Sequence, residues 1–244
     1  MMTRAQVQVA ISDAERLGCR AYYYTGGEPF LHPEILDLID DGLASGPLHI
    51  LTNGMLITRE IAAELAHRSA AADYSLDLRV SLDGLSAAAN DPIRGEGVFE
   101  ATTTGIRRLV EAGIEPSLAL TLVDPAGASP EGRTAMLGFL RALGVERPRL
   151  KLIPPFRIGR EAARSGRYGP EARLAAEDLD DEAPWQLGCG TSRMVTANGV
   201  YTCPILIDYP SARLGDGLAK ALVPIPLAYR ACFTCWEEGF SCRS

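Results

Sequence analysis

Cysteine is nearly missing from the first three quarters of this chain. Of six cysteines in 244 residues, only Cys19 lies before position 189. No disulfide framework can therefore stitch residues 20–188, and that stretch must fold on its own hydrophobic core, for which the chain is long enough. Histidine is scarce too: His32, His49 and His67 are the whole set. That is too few for a histidine-rich metal site, and no convincing carboxylate set takes its place, which argues against a metal-dependent hydrolase. No apolar run is long enough to span a bilayer and no signal-peptide pattern opens the chain, so the expected compartment is the cytoplasm, with no membrane partner. Long basic runs are also missing and the formal net charge is −7, which speaks against a dedicated nucleic-acid binder. Internal repeats and low-complexity tracts are not seen.

What is present alternates. Residues 3–18 have helical spacing, with Val7, Ala10, Ile11, Ala14 and Leu17 on one face and Gly18 as a stop. Tyr22-Tyr23-Tyr24-Thr25 reads as a short strand. Gly26-Gly27 then frees the backbone, and Glu28-Pro29 ends the strand. His32-Pro33-Glu34 is expected to open a helix that runs to about residue 44, with Pro33 in its first turn. Strands follow at Leu48–Thr52, Leu76–Leu82, Ile114–Val123 and Leu150–Ile153. Helices are expected from Thr58 to Ala66, from Val98 to Glu111 and from Pro130 to Leu143. Asp91-Pro92-Ile93-Arg94-Gly95 reads as a loop carrying one cation. His49 reads as a strand residue with one wet face. In Leu76–Leu82 the alternation of Leu, Asp, Leu, Arg, Val and Ser marks a half-buried strand. Strict βα alternation implies parallel strands joined by right-handed crossovers. Five strands are too few for a closed eight-stranded barrel, so an open or partial barrel is expected. In such folds ligands meet the carboxyl ends of the strands, which is where Gly26-Gly27 falls. The chain begins on a helix, so a strand is expected to be missing from its front.

Residues 156–186 read as a linker with one helix, its arginines and its acidic run forming a solvated face. From 187 to 244 the chain is turn-rich and cysteine-rich. Met194-Val195-Thr196 and Val200-Tyr201-Thr202 flank Asn198-Gly199, a strong hairpin signal. Cys189 and Cys203 bracket that hairpin, and Cys232-Phe233-Thr234-Cys235 is a C-x-x-C, followed by Cys242. Four thiolates suit zinc or an iron–sulfur cluster, and the tail alone leaves these two open. A thioredoxin-like pair is disfavoured because no βαβ unit surrounds the C-x-x-C.

Taken in order, TGGEP at a strand end, ILTNG, VSLDG with DPIRG, LKLIPPFRIGRE and the cysteine-rich tail resemble the radical S-adenosylmethionine (SAM) enzymes, and the tail resembles their SPASM or twitch extension. The resemblance implies an α/β partial, open parallel TIM-like barrel over residues 1–155, the linker, and a small C-terminal α+β domain over 187–244. It implies an enzyme in which one electron from a [4Fe–4S] cluster cleaves SAM to a 5′-deoxyadenosyl radical that takes a substrate hydrogen. By the same resemblance Gly26, Gly27, Glu28 and Pro29 meet the SAM amino group, Thr52 and Asn53 line the pocket, and Ser81 and Asp83 lie near the ribose and carboxylate. Arg94 pairs with the SAM carboxylate. Cys189, Cys203, Cys232 and Cys235 hold an auxiliary [4Fe–4S] cluster, with Cys242 a spare thiol or a remnant of a longer pattern. The implied partners are a peptide or small-molecule substrate and an external electron donor, with peptide maturation expected first and small-molecule dehydrogenation second.

One departure stands out. The family holds its SAM cluster with C-x-x-x-C-x-x-C after the first strand, and these 244 residues contain no such motif. The expectation is that the first strand and cluster loop are missing, that this chain alone lacks the reductive step, and that the Tyr22–Thr25 strand is a bare sheet edge prone to self-association. The competing expectation is a non-catalytic relative that binds metal or a peptide.

Overall fold

The computed structural model describes residues 1–123, 125–178 and 187–238; Cys242 lies outside them. The chain divides into two compact units, Gly18–Ile153 and Met1–Leu17 with Pro154–Ser244.

The first unit is built on five parallel strands in the spatial order of the sequence: β1 (Tyr22–Tyr24), β2 (Leu48–Thr52), β3 (Leu76–Ser81), β4 (Ser117–Thr121) and β5 (Leu150–Ile153). Parallel neighbours that follow one another in both sequence and space require right-handed crossovers on a single side, the winding of a β/α barrel. The register confirms a shared pleat. Tyr22 pairs with Leu48, Leu48 with Leu76, and Leu118 with Leu150. Leu48, Ile50, Leu78, Val80 and Leu118 point to one face and are at most 1% exposed. That face is helix-covered: Gly42 lies against the side chains of Tyr24 and Leu48, and the Tyr24 hydroxyl donates to the Leu38 carbonyl at 2.8 Å. A mixed α/β fold with an open, partial barrel is thus the architecture of this unit.

Its helices are α2 (Ile35–Leu43), α3 (Arg59–Ala71), α4 (Ala87–Arg94), α5 (Val98–Glu111) and α6 (Pro130–Ala142), α1 being Arg4–Arg16 in the other unit. Four departures from the sequence reading have local causes. The His32-Pro33-Glu34 segment does not begin α2; a 3-10 turn over Pro29–Leu31 intervenes, capped by the Glu28 side chain, and α2 starts at Ile35. Helix α3 continues past Ala66 to Ala71, because Ala, Leu, Glu and Arg propagate it and Arg68 bonds Glu64 one turn back and Asp40 at 3.0 Å. The fourth strand begins only at Ser117, since Pro116 brings no N–H to the ladder. Asp91–Arg94 is no loop. Ser86 caps α4 and three alanines carry it through Pro92 to a stop at Gly95.

In the second unit, β6 (Met194–Thr196), β7 (Gly199–Tyr201) and β8 (Arg213–Gly215) form an antiparallel sheet. The expected hairpin is there, but its two turn residues are Ala197 and Asn198, because Thr196 pairs with Gly199. Gly199 opens β7 at φ +118°, and a Cβ on it would meet the Gly215 carbonyl at 2.6 Å, so the third strand is what requires glycine there. Short helices α7 (Gly159–Ser165) and α8 (Arg230–Glu237) complete the unit, and Tyr168 Oη sits 2.6 Å from Thr234 Oγ1 on α8.

Candidate functional site

The carboxyl ends of β1, β2, β3 and β4 are tied in pairs by two carboxylates. Glu28, 8% exposed, follows β1. Its Oε1 accepts from the Phe30 N–H at 3.1 Å and from Thr52 Oγ1 at 2.8 Å, and its Oε2 accepts from the Asn53 N–H at 2.7 Å. Thr52 Oγ1 in turn accepts from the Gly54 N–H. Helix α5 holds the same segment from the other side. Buried Thr102 donates to the Asn53 carbonyl at 2.9 Å, and Arg108 donates to the Ile57 carbonyl at 2.9 Å. The second tie is Asp83, just past β3. Its Oδ1 accepts from the Thr121 N–H at the end of β4, and its own N–H donates to Asn90 Oδ1, a residue with no exposed surface. Gly84 is obligatory beside it, because a Cβ there would lie 2.6 Å from the Asn90 nitrogen. A carboxylate that accepts from backbone N–H groups at a strand end fixes the loop geometry there.

These ties assign the expected site residues different duties. Gly26 and Gly27 border open space: a Cβ on either would touch nothing within 4 Å, and Gly26 has φ +150°. Their backbone is free for a ligand, which fits a group that binds through carbonyl oxygens. Glu28, Thr52 and Asn53 shape that edge, with the Glu28 carboxylate turned into the fold; Pro29 starts the turn that follows. Ser81 ends β3 and is half-buried. Arg94 lies with its Nε 2.8 Å from Asp83 Oδ2, in an orientation that forms no directed hydrogen bond, so this guanidinium already faces an internal carboxylate.

In the tail, Cys189 sits in a turn over Gly188–Gly190, Cys203 precedes a turn over Pro204–Leu206, and Cys232 and Cys235 lie one turn apart on α8. Arg193 clamps the first of these, donating to the carbonyls of Cys189 at 2.7 Å, Ala221 at 2.8 Å and Val223 at 2.9 Å. Burial pushes the thiols of Cys189 and Cys232 up, and at Cys232 the nearby Cys189 acts in the same direction. The donor chemistry suits iron–sulfur or zinc, but among the described residues no three Cys, His, Asp or Glu side chains converge as a metal cage.

The sheet carries a second set of polar residues that the sequence reading passed over. On the face opposite the helices, Tyr23 pairs in register with His49, and His49 with Asp77. The Tyr23 and His49 rings stack at 4.4 Å. His49 Nδ1 lies 3.2 Å from Asp77 Oδ2, Arg149 Nη2 lies 2.8 Å from Asp77 Oδ1, and Arg79 Nη2 lies 3.6 Å from Asp77 Oδ2. Asp77 is 9% and Arg79 6% exposed. The signal was the alternation in Leu76–Leu82. In a sheet with all its helices on one side, the polar stripe lines the concave interior of the barrel and is not a wet outer surface. Burial alone would push the Asp77 carboxyl up, but the bond from His49 and the charges of Arg149 and Arg79 together hold it below its ordinary value of 3.8. A depressed carboxylate contributes stability that is present above the unfolded value and lost as pH falls through the folded one. Asp77→Asn is therefore expected to lower the stability at pH 7, with the gap to wild type closing below pH 3.8, as read by chemical unfolding at both pH values.

The radical SAM superfamily model matches residues 2–131. With that match over more than half its length, the chain belongs to the radical SAM superfamily, whose members use SAM and a [4Fe–4S] cluster. It is 35% identical over 113 residues to mycofactocin maturase MftC of Mycobacterium tuberculosis, a match covering 46% of this chain and 28% of that protein. It is 26% identical over 247 residues to the PqqA peptide cyclase of Streptomyces rochei, covering 91% of this chain and 66% of the relative. The chain thus spans less than two thirds of these relatives. Streptococcus suis SuiB bound to its precursor peptide SuiA shares the fold, with a TM-score of 0.68 at 14% identity over 93% of this chain and 59% of SuiB. Among the described residues no helix is long and apolar enough to cross a membrane.

Proposed function

We propose that these residues are the SAM-binding barrel and cysteine-rich tail of a peptide-modifying radical SAM enzyme. The observation that carries this reading is the likeness to a peptide cyclase across 91% of the chain, supported by the open Gly26-Gly27 backbone at the carboxyl edge. SAM, when bound and reduced, supplies a 5′-deoxyadenosyl radical. This chain contributes the backbone edge at Gly26–Pro29, the pocket wall at Thr52 and Asn53, and the Ser81–Asp83 strand end, with Arg94 acting through Asp83. A concave, polar sheet face receives the substrate and keeps water from it. Electrons come from an external donor, and the workplace is the cytoplasm.

Only Cys19 precedes Cys189, so the thiolates of the reducing cluster are not among these residues. The expected result is that the 244-residue chain, reconstituted anaerobically with SAM and dithionite, forms no 5′-deoxyadenosine, and that joining a C-x-x-x-C-x-x-C segment ahead of residue 3 restores it. Chromatography with mass detection reads the product. Absence of product in the extended protein would favour the non-catalytic reading.

The tail is proposed to hold an auxiliary [4Fe–4S] cluster through Cys189, Cys203, Cys232 and Cys235. Binding must draw the four thiols together and displace their protons. Protein reconstituted without oxygen is expected to take up iron with a visible absorption band, and Cys232→Ala with Cys235→Ala is expected to lose it. Stoichiometric zinc in protein made with ample iron would remove the cluster assignment.

A further inference from the structure

We propose that the concave face of the sheet carries a subsite for a substrate carboxylate, formed by Arg79 and Arg149 around Asp77 and extended by Lys151. This deepens the peptide-enzyme reading and rests on it for the kind of substrate. The register places the groups together. Arg79 pairs with Ser117, and the Arg149 carbonyl accepts the N–H of Leu118, which sets Arg149 beside Ser117 on the next strand. Two residues further on, Ala119 stands between Ser81 and Lys151. Period-two alternation then puts Arg79, Arg149 and Lys151 on the face of His49 and Asp77.

Two guanidiniums, of Arg79 and Arg149, face the one Asp77 carboxylate. Arg149 Nη2 donates to the Glu115 carbonyl at 3.2 Å and lies 2.8 Å from Asp77 Oδ1 in an orientation that forms no directed hydrogen bond. Arg79 is only 6% exposed, yet among the described residues its nearest carboxylate oxygen is 3.6 Å away and its Nε has no hydrogen-bond partner. A guanidinium offers five donors in a planar fork and stays charged, so an unmatched buried edge calls for an acceptor that bears negative charge. A carboxylate matches that fork in shape and charge, and the neutral side-chain amide of the same size does not. Tyr23 stacked on His49 walls one side with an aromatic surface, as a peptide side chain needs.

The test follows the Arg79 Nε–H resonance in nitrogen-15-labelled protein, assigned by its loss in Arg79→Lys. Glutarate and two short capped peptides, one with a central Glu and the other with Gln in its place, are titrated separately. The expected outcome is that the Nε–H signal moves downfield with glutarate and with the Glu peptide, and that the Glu peptide binds about tenfold more tightly than its Gln twin. Arg79→Met should erase that preference, whereas Arg147→Gln, at an 88% exposed side chain, should keep it. The wild-type comparison stands even if Arg79→Met fails to fold. Equal affinity for the two peptides, or no Nε–H shift with any probe, overturns the subsite. A shift with glutarate and none with either peptide keeps the subsite and overturns the peptide reading, so the two failures are told apart.

Discussion

Glu28→Ala is expected to destabilise the first unit by about 3 kcal/mol and to abolish SAM binding in any form of the protein that shows it. The carboxylate serves three donors: two backbone N–H groups, of Phe30 and Asn53, and the Thr52 hydroxyl. At 8% exposure, water cannot readily replace it. Truncation therefore strands buried donors, each costing about 1 kcal/mol or more. It also unties the ends of β1 and β2, and the edge formed by Gly26 and Gly27 loses the anchor just after it. Glu28→Gln keeps the shape but turns an amide N–H₂ toward one set of donors, so about 2 kcal/mol is the expected loss. Urea unfolding and calorimetric SAM titration check the pair. A stable Glu28→Ala protein would mean that the hydrogen bonds of this carboxylate are replaced on opening.

That side-chain role stands beside the backbone contact with SAM that the resemblance implies for Gly26–Pro29. The sequence located TGGEP at a strand end, because three aromatics followed by two glycines and a proline admit little else. It did not reveal which atoms of the motif face outward. Glu28 looks like a ligand residue in one dimension, and only the nearness of β2 turns it into a tie between strands. Arg94 is the same case. As a cation in an expected loop it is assigned to the SAM carboxylate. As the last residue of α4 it is delivered to Asp83 seven places after that helix begins. Asp83, expected near the SAM ribose and carboxylate, also accepts the Thr121 N–H, a tie that the sequence does not announce.

Strand existence was legible because apolar residues recur with period two at Leu48–Thr52 and Leu150–Ile153, and both spans match the structure residue for residue. Strand faces were not. Alternation in β3 says that Asp77, Arg79 and Ser81 share a side, and the choice between solvent and barrel interior belongs to the topology. The tail shows a different gap. Its hairpin follows from local turn chemistry, whereas β8 pairs through Val200 and Gly215, fifteen residues apart, with a register shift that no short-range pattern announces.

Gly105→Val should be among the most damaging single substitutions in the chain, and Gly105→Ala nearly as severe. Gly105 lies inside α5, where glycine ordinarily weakens a helix by about 1 kcal/mol relative to alanine. On propensity alone, alanine would stabilise the protein. The structure reverses the sign. A Cβ at Gly105 would stand 2.1 Å from the Gly54 carbonyl oxygen and 3.1 Å from its carbon. These are backbone atoms of the turn after β2, and they cannot swing aside like a side-chain end. Gly54 is itself confined at φ +74° with Val80 Cγ1 3.0 Å from the place of its own Cβ. Helix α5 must therefore lift away, breaking the bonds from Thr102 to Asn53 and from Arg108 to Ile57. Overpacking that forces backbone apart costs about 3 kcal/mol or more. Because the same turn receives the Glu28 carboxylate, the loss should reach the strand-end edge as well. Double-mutant analysis of Gly105→Ala with Glu28→Ala is expected to give less than the sum of the single losses, since both open one segment. Additive losses would show that the helix and the carboxylate hold the turn independently. A Gly105→Ala protein as stable as wild type would mean that α5 approaches β2 less closely than these distances require.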